Sequence, residues 1–172
     1  MLSIVVIAEG NQENLSVRNK KGYCMKIAIG TDHRGFVLKN ELLVQTEFAG
    51  VSVSWIDCGT FGPERTDYPV YANKVCTEIL AGRADMGILL CGSGVGMSIA
   101  ANRFRGIYAA LAWNDAIAHQ SKRDDSANIL VIPADEINIE QARSMIGIWL
   151  TTKFLGNEYQ KRLLMIDRER AD

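Results

Sequence analysis

The chain has 172 residues, 48% of them hydrophobic and 23% charged, which fits one globular domain with a substantial core, and a second domain is not expected. Lys and Arg total 19 against 20 Asp and Glu, a net charge of -1, so the basic excess that a nucleic-acid surface demands is missing. No apolar run approaches the length of a membrane span, so neither nucleic acid nor membrane is an expected partner. Cys24, Cys58, Cys76 and Cys91 form no Cys-x-x-Cys pair, and His33 and His119 lie far apart, which argues against a zinc cage or a disulfide framework and for a reducing cytoplasm.

In chain order, residues 1–24 hold a short apolar piece at 2–8 with no basic segment before it, followed by polar residues 11–22, and read as an N-terminal extension rather than a signal. Met25 opens what looks like the first strand of a domain over 25–172 and is the expected natural start. Apolar strand patterns fall at 26–30, 51–57, 86–91, 106–112 and 128–132, with helical patterns between them. The alternation predicts a three-layer, doubly wound, Rossmann-like α/β fold with a five-stranded parallel sheet. Thr66, Asp67 and Pro69 punctuate the start of a helix carrying Ala72, Val75, Cys76, Ile79 and Leu80 on one face. Asn138 with Gln141 forms a capping-box pattern before Ala142, Met145, Ile146, Trp149 and Leu150, and a last helix runs through Tyr159 to about Glu169. Trp55, Trp113 and Trp149 read as packing residues.

The most informative segment is Cys91-Gly92-Ser93-Gly94-Val95-Gly96, which ends the apolar run 86–90. A strand that delivers a thiol into a glycine turn ahead of a helix leaves backbone N–H groups unpaired; they can hold an anion and favour thiolate over thiol. Close strand–helix packing explains the glycines equally well, and a buried cysteine is a common small hydrophobe. In doubly wound sheets ligands bind beyond the carboxyl ends of the strands, where Asp32 and His33, residues 59–69, residues 91–96 and residues 113–115 all fall. Asp32 alone reads as a turn cap, and Tyr71 as helix packing or a site wall.

Four ordered motifs carry a resemblance: Ile29-Gly30-Thr31-Asp32-His33-Arg34-Gly35-Phe36-x-Leu38-Lys39, Asp57-x-Gly59-Thr60, Glu64-Arg65-Thr66-Asp67-Tyr68-Pro69-x-Tyr71-Ala72, and the Cys91 loop continued through Ser98-Ile99-Ala100-Ala101-Asn102. Over residues 25 to about 168 the chain resembles the type B ribose-5-phosphate isomerases and the lactose-operon galactose-6-phosphate isomerases. The resemblance implies a cofactor-free, metal-free aldose–ketose isomerase that works through a cis-enediolate on a sugar phosphate or a small sugar. Cys91 would be the carbon base and Ser93 the shuttle between substrate oxygens. Asp32, His33, Tyr68, Gly92, Gly94, Val95, Gly96, Asp125 and Arg162 would bind substrate, Arg162 across the interface of a homodimer or a tetramer of dimers. Asn102 is expected to support the loop through hydrogen bonds.

The chain departs from that pattern at two places. Asp124 stands where the family has the histidine that opens the furanose ring, and His119 lies too far around its helix to replace it. Asp135 and Glu158 stand at positions of phosphate-binding arginines. A carboxylate about 5 Å from a phosphate repels each unit of charge by about 3 kcal/mol at an effective dielectric near 20. Either Arg34, Arg65, Lys161 or Arg162 compensates, or the substrate differs from ribose 5-phosphate. A tetrose phosphate, which cannot close a ring through its phosphorylated hydroxyl, is one alternative. An unphosphorylated sugar, or a non-catalytic sugar-binding subunit, is another.

Overall fold

A computed structural model describes residues 23–168, so the expected extension lies almost wholly outside the described residues. The elements are β1 (Met25–Thr31), a 3-10 turn (His33–Gly35), α1 (Phe36–Leu43), β2 (Glu47–Phe48), β3 (Val51–Asp57), α2 (Tyr68–Leu80), β4 (Met86–Cys91), α3 (Val95–Ala101), β5 (Ala109–Leu111), α4 (Asp115–Arg123), β6 (Ile129–Pro133), α5 (Ile139–Thr151) and α6 (Glu158–Arg168). The sheet order is β2-β3-β1-β4-β6-β5. The five expected strands pair in parallel, and β2 adds an antiparallel edge against β3. A two-residue strand has no period to read, and its turn is made by Ala49 and Gly50, both at positive φ. β5 is shorter than its apolar run suggests, because the Asn128 side chain takes the Tyr108 N–H that a longer strand would give to the ladder.

β4 and β6 are buried on every residue, which explains their unbroken apolar runs. Strand alternation divides their side chains between two cores. Ile27, Ile29, Ile88, Leu90, Leu130 and Ile132 face α1 and α5 and pack with Leu42 and the fully buried Trp149. Ala28, Leu89, Cys91, Ile129 and Val131 face α2 and α3, with Val75, Cys76 and Met97. Cys91 therefore belongs by register to the α2–α3 side. Each fully buried leucine or isoleucine contributes roughly 1.5–3 kcal/mol. α2 lies close on the sheet because Gly30 and Gly87 carry no side chain: a Cβ there would stand 2.9 and 2.8 Å from Val75 methyls.

The capping box of Asn138 and Gln141 forms at the start of α5. Asp67 occupies the N-cap of α2, but its side chain makes no cap bond, so the proline in the first turn and the apolar face carry that helix start. Asn102 clips α3 to β5, exchanging bonds with both backbone groups of Ala109 at 2.8 and 2.9 Å. At the end of β3, Lys39, 1% exposed, gives bonds of 2.7 Å to both oxygens of Asp57, which also accepts the Gly59 N–H.

Candidate active site

The carboxyl ends of β1, β4 and β6 are fastened together before any functional side chain is considered. Thr31 donates its hydroxyl to the Leu90 carbonyl at 3.0 Å. The chain leaving β6 gives Ala134 N–H to the Cys91 carbonyl at 2.8 Å and Asp135 N–H to the Gly92 carbonyl at 3.2 Å. The 3-10 turn sits so tightly on β4 that a Cβ at Gly35 would lie 2.7 Å from Leu90 Cβ.

Within that frame Asp32, 4% exposed, uses its two oxygens separately. Oδ1 accepts the Arg34 N–H at 2.9 Å, the cap of the 3-10 turn, and Oδ2 accepts the Cys91 thiol at 3.1 Å. Asp32 is thus the turn cap and at the same time the hydrogen-bond partner of the Cys91 thiol. Cys91 keeps 8% of its surface exposed at the end of β4.

The thiol is not activated at rest, contrary to the expectation drawn from the glycine turn. Its pKa is pushed up to about 11, first by burial and then by the hydrogen bond and charge of Asp32, while the N–H groups of Gly94 and Gly92 pull the other way and lose. The sequence placed Asp32 at this edge as an expected substrate ligand, and not its bond to a thiol 59 positions later.

Ser93 is exposed, and its hydroxyl accepts the Val95 N–H at 3.4 Å. Gly94 takes φ 75° to turn the chain into α3, and a Cβ there would meet Leu111 Cδ1 at 2.5 Å. Gly96 lies under the Tyr68 ring, whose Cζ is 2.7 Å from where a Cβ would be, so the start of α2 closes over the Cys91 loop. His33 is half-buried, and its Nδ1 accepts the Thr66 N–H at 3.4 Å. Tyr71 is a packing residue of α2, its phenol held below the usual range chiefly by the neighbouring Thr60 and Thr66 hydroxyls.

Asp124, Asp125 and Arg162 are not brought to this place. α4 runs back against the strands, so its C-terminal residues and the entrance to β6 lie at the amino edge of the sheet, about 17 Å from Cys91 for a five-residue strand. α6 docks at the same edge, with Leu155 N–H on the Arg123 carbonyl and Tyr108 hydroxyl on Asp167. There Arg123 grips both oxygens of Asp124 at 2.7 and 2.9 Å and holds its carboxyl below the usual range. Asp125 is raised by local desolvation and by Asp124, with Arg162 opposing; the Arg162 guanidinium lies 5.2 Å over the Tyr159 ring.

Two relationships escaped the sequence reading. Lys39 and Asp57 sit in quoted motifs, but only the fold pairs them. Asp135, expected to repel an anion, is instead bound to Arg34. Among the described residues no group of three or more His, Cys, Asp or Glu could hold a metal ion, and no helix is long and apolar enough to cross a membrane.

The profile of the Ribose/Galactose Isomerase family matches residues 27–166. The chain is 41% identical to ribose-5-phosphate isomerase B of Escherichia coli over 138 residues, 80% of this chain and 91% of that one. It is 33% identical to a galactose-6-phosphate isomerase subunit of Clostridium acetobutylicum, over 81% of this chain and 80% of the other. The fold superposes on a ribose 5-phosphate isomerase of Thermotoga maritima with a TM-score of 0.75 and 45% identity, covering 84% of this chain and 98% of its counterpart. Fold, motifs and likeness over most of the length agree: the chain belongs to the ribose/galactose isomerase family and is a sugar-phosphate isomerase.

Proposed function

We propose that this isomerase interconverts ribose 5-phosphate and ribulose 5-phosphate, or a closely related aldose–ketose pair, through a cis-enediolate, with Cys91 as the carbon base. The observation that carries this reading is the 3.1 Å bond from the Cys91 thiol to Asp32 at the carboxyl edge of the sheet. The thiol proton passes to Asp32, and the thiolate takes the proton from the carbon beside the carbonyl. The same sulfur then returns a proton to the neighbouring carbon while the Ser93 hydroxyl moves one between the two substrate oxygens. Sulfur begins and ends as thiol, and Asp32 recovers its charge. The N–H groups of residues 94–96 stabilise the oxyanion, a contribution of about 3 to 4 kcal/mol per well-placed donor. His33 Nε2–H and the Tyr68 hydroxyl donate to sugar oxygens. Deuterium uptake from solvent into the substrate carbon, present in wild type and lost in Cys91→Ala, tests this assignment.

A second copy of the chain completes the site in this reading, because Asp124, Asp125 and Arg162 lie at the far edge of their own sheet. Val95 and Ile99, 49% and 55% exposed one helical turn apart on α3, give an apolar face for a homodimer, with a tetramer as a further stage. The free thiols of Cys24, Cys58, Cys76 and Cys91 suit a cytoplasmic enzyme of pentose phosphate metabolism.

A tetrose phosphate is the second reading, supported by one observation: Arg123 grips both oxygens of Asp124 and holds its carboxyl below the usual range, so this position offers no proton to open a ring. Turnover of erythrose 4-phosphate well above that of ribose 5-phosphate is the expected ranking on this reading, and the reverse ranking removes it.

A further inference from the structure

We propose that Arg34 is a specificity-determining residue that binds the phosphoryl group of the substrate, with Asp135 as the residue that positions it; this deepens the isomerase reading and rests on it. Three observations converge. The Arg34 backbone is fixed by its N–H on Asp32 Oδ1, the same carboxylate that holds the Cys91 thiol. Its side chain lies flat against Gly92, where a Cβ would stand 2.6 Å from Nε and 2.8 Å from Cζ, so only glycine admits the guanidinium to this place. Nη2 is bound to Asp135, whose own N–H is pinned to the Gly92 carbonyl.

The guanidinium is therefore fixed at both ends of its side chain, one residue from Cys91 in the chain direction of the loop, yet the side chain remains 56% exposed. One edge of its planar fork is taken by Asp135, which leaves the other N–H groups for a ligand. A forked donor matches phosphate oxygens geometrically as well as by charge. The cationic side chain of Arg162 lies at the opposite edge of the same sheet, so Arg34 supplies an anion partner from the chain that carries the thiol. Asp135 acts in two opposed ways: it orients the fork, and its charge offsets part of the attraction.

That opposition gives the proposal a signature. Inorganic phosphate binding is measured by calorimetry, and kcat and KM are measured with whichever of ribose 5-phosphate and erythrose 4-phosphate is turned over faster, and with the matching unphosphorylated sugar. Arg34→Ala should weaken phosphate and raise KM for the phosphate ester by about tenfold or more while kcat and the KM for the free sugar hold. Asp135→Asn keeps an accepting oxygen and removes the charge, so phosphate should bind several-fold tighter, whereas Asp135→Ala, which frees the fork, should bind it more weakly. Equal effects of Arg34→Ala on phosphorylated and free sugars, no effect on phosphate binding, or a wild-type protein that binds no phosphate would each overturn it. If no sugar is isomerised but phosphate binding still follows this order, the isomerase assignment of Cys91 fails, and with it the role of Arg34 in substrate specificity, while its binding of phosphate stands.

Discussion

Asp32 Oδ2 accepts the hydrogen of the Cys91 thiol across 3.1 Å, which ties the sulfur at the end of β4 to the carboxylate that caps the 3-10 turn. Burial and the neighbouring carboxylate hold the thiol protonated, with its pKa at about 11, although two loop amides favour the anion. Asp32→Asn separates these effects. Removing the negative charge lowers the thiol pKa, so alkylation of Cys91 by iodoacetamide at neutral pH should quicken and its pH profile move down. Removing the proton acceptor should lower turnover by about 10²-fold, the usual scale of general acid–base assistance. A variant both more reactive to alkylation and slower in catalysis is the expected pattern; a rise or fall in both together contradicts it.

Burial also makes the fold sensitive to alkali. Cys58, Cys76 and Cys91 rise from 9.0 to about 11, 12 and 11, chiefly through desolvation. Each folded-state value lies above the unfolded one, so the stability these thiols contribute is complete below pH 9 and is lost as pH climbs through the folded values. Melting temperature should fall steeply above about pH 9, and Cys76→Ala, which removes the most shifted group, should flatten the fall.

Lys122 has the opposite sign. It sits in the core, with Nζ on the Ala127 carbonyl at 3.2 Å and 5.7 Å from the Trp149 ring, and desolvation alone brings its pKa from 10.5 to about 8. Its folded value is below the unfolded one, so the penalty is full below pH 8 and is relieved between pH 8 and 10.5. Such a shift corresponds to about 3 kcal/mol, from which roughly 1 is subtracted for the Ala127 carbonyl left without its donor. Lys122→Met should therefore stabilise the protein by about 2 kcal/mol at pH 7 in urea unfolding, with a smaller gain at pH 10.

Lys39 is equally buried but paired, and its replacement should do the reverse. Lys39→Met strands the Asp57 carboxylate, which is 28% exposed and keeps only the Gly59 N–H among the bonds described above. A loss of about 3 kcal/mol is expected, at the low end for a broken buried pair because water reaches Asp57. Melting temperature and urea unfolding report it directly.

The architecture was legible because β4 and β6 are continuous apolar runs and because Asn138 with Gln141 spells a helix start in four residues. β2 was not, since two residues carry no pattern. The thiol, its glycine turn and Asp32 at the same sheet edge were legible, but the resting state of the sulfur was not, because it depends on the burial of the thiol and on its direct contact with Asp32, which the register of β1 against β4 sets. Asp124 could be placed in line with a catalytic histidine by motif, yet its distance from Cys91 within one chain needs the direction of α4. Asp135 read as an obstacle to an anion until the fold set Arg34 against it.

The most direct measurement is deuterium incorporation from solvent into the substrate during turnover by wild type and by Cys91→Ala, with circular dichroism showing that both are folded. Wild type should label the carbon beside the carbonyl, and Cys91→Ala should lose both labelling and turnover by about 10²-fold or more. Undiminished labelling and turnover in Cys91→Ala would show that some other group moves the proton.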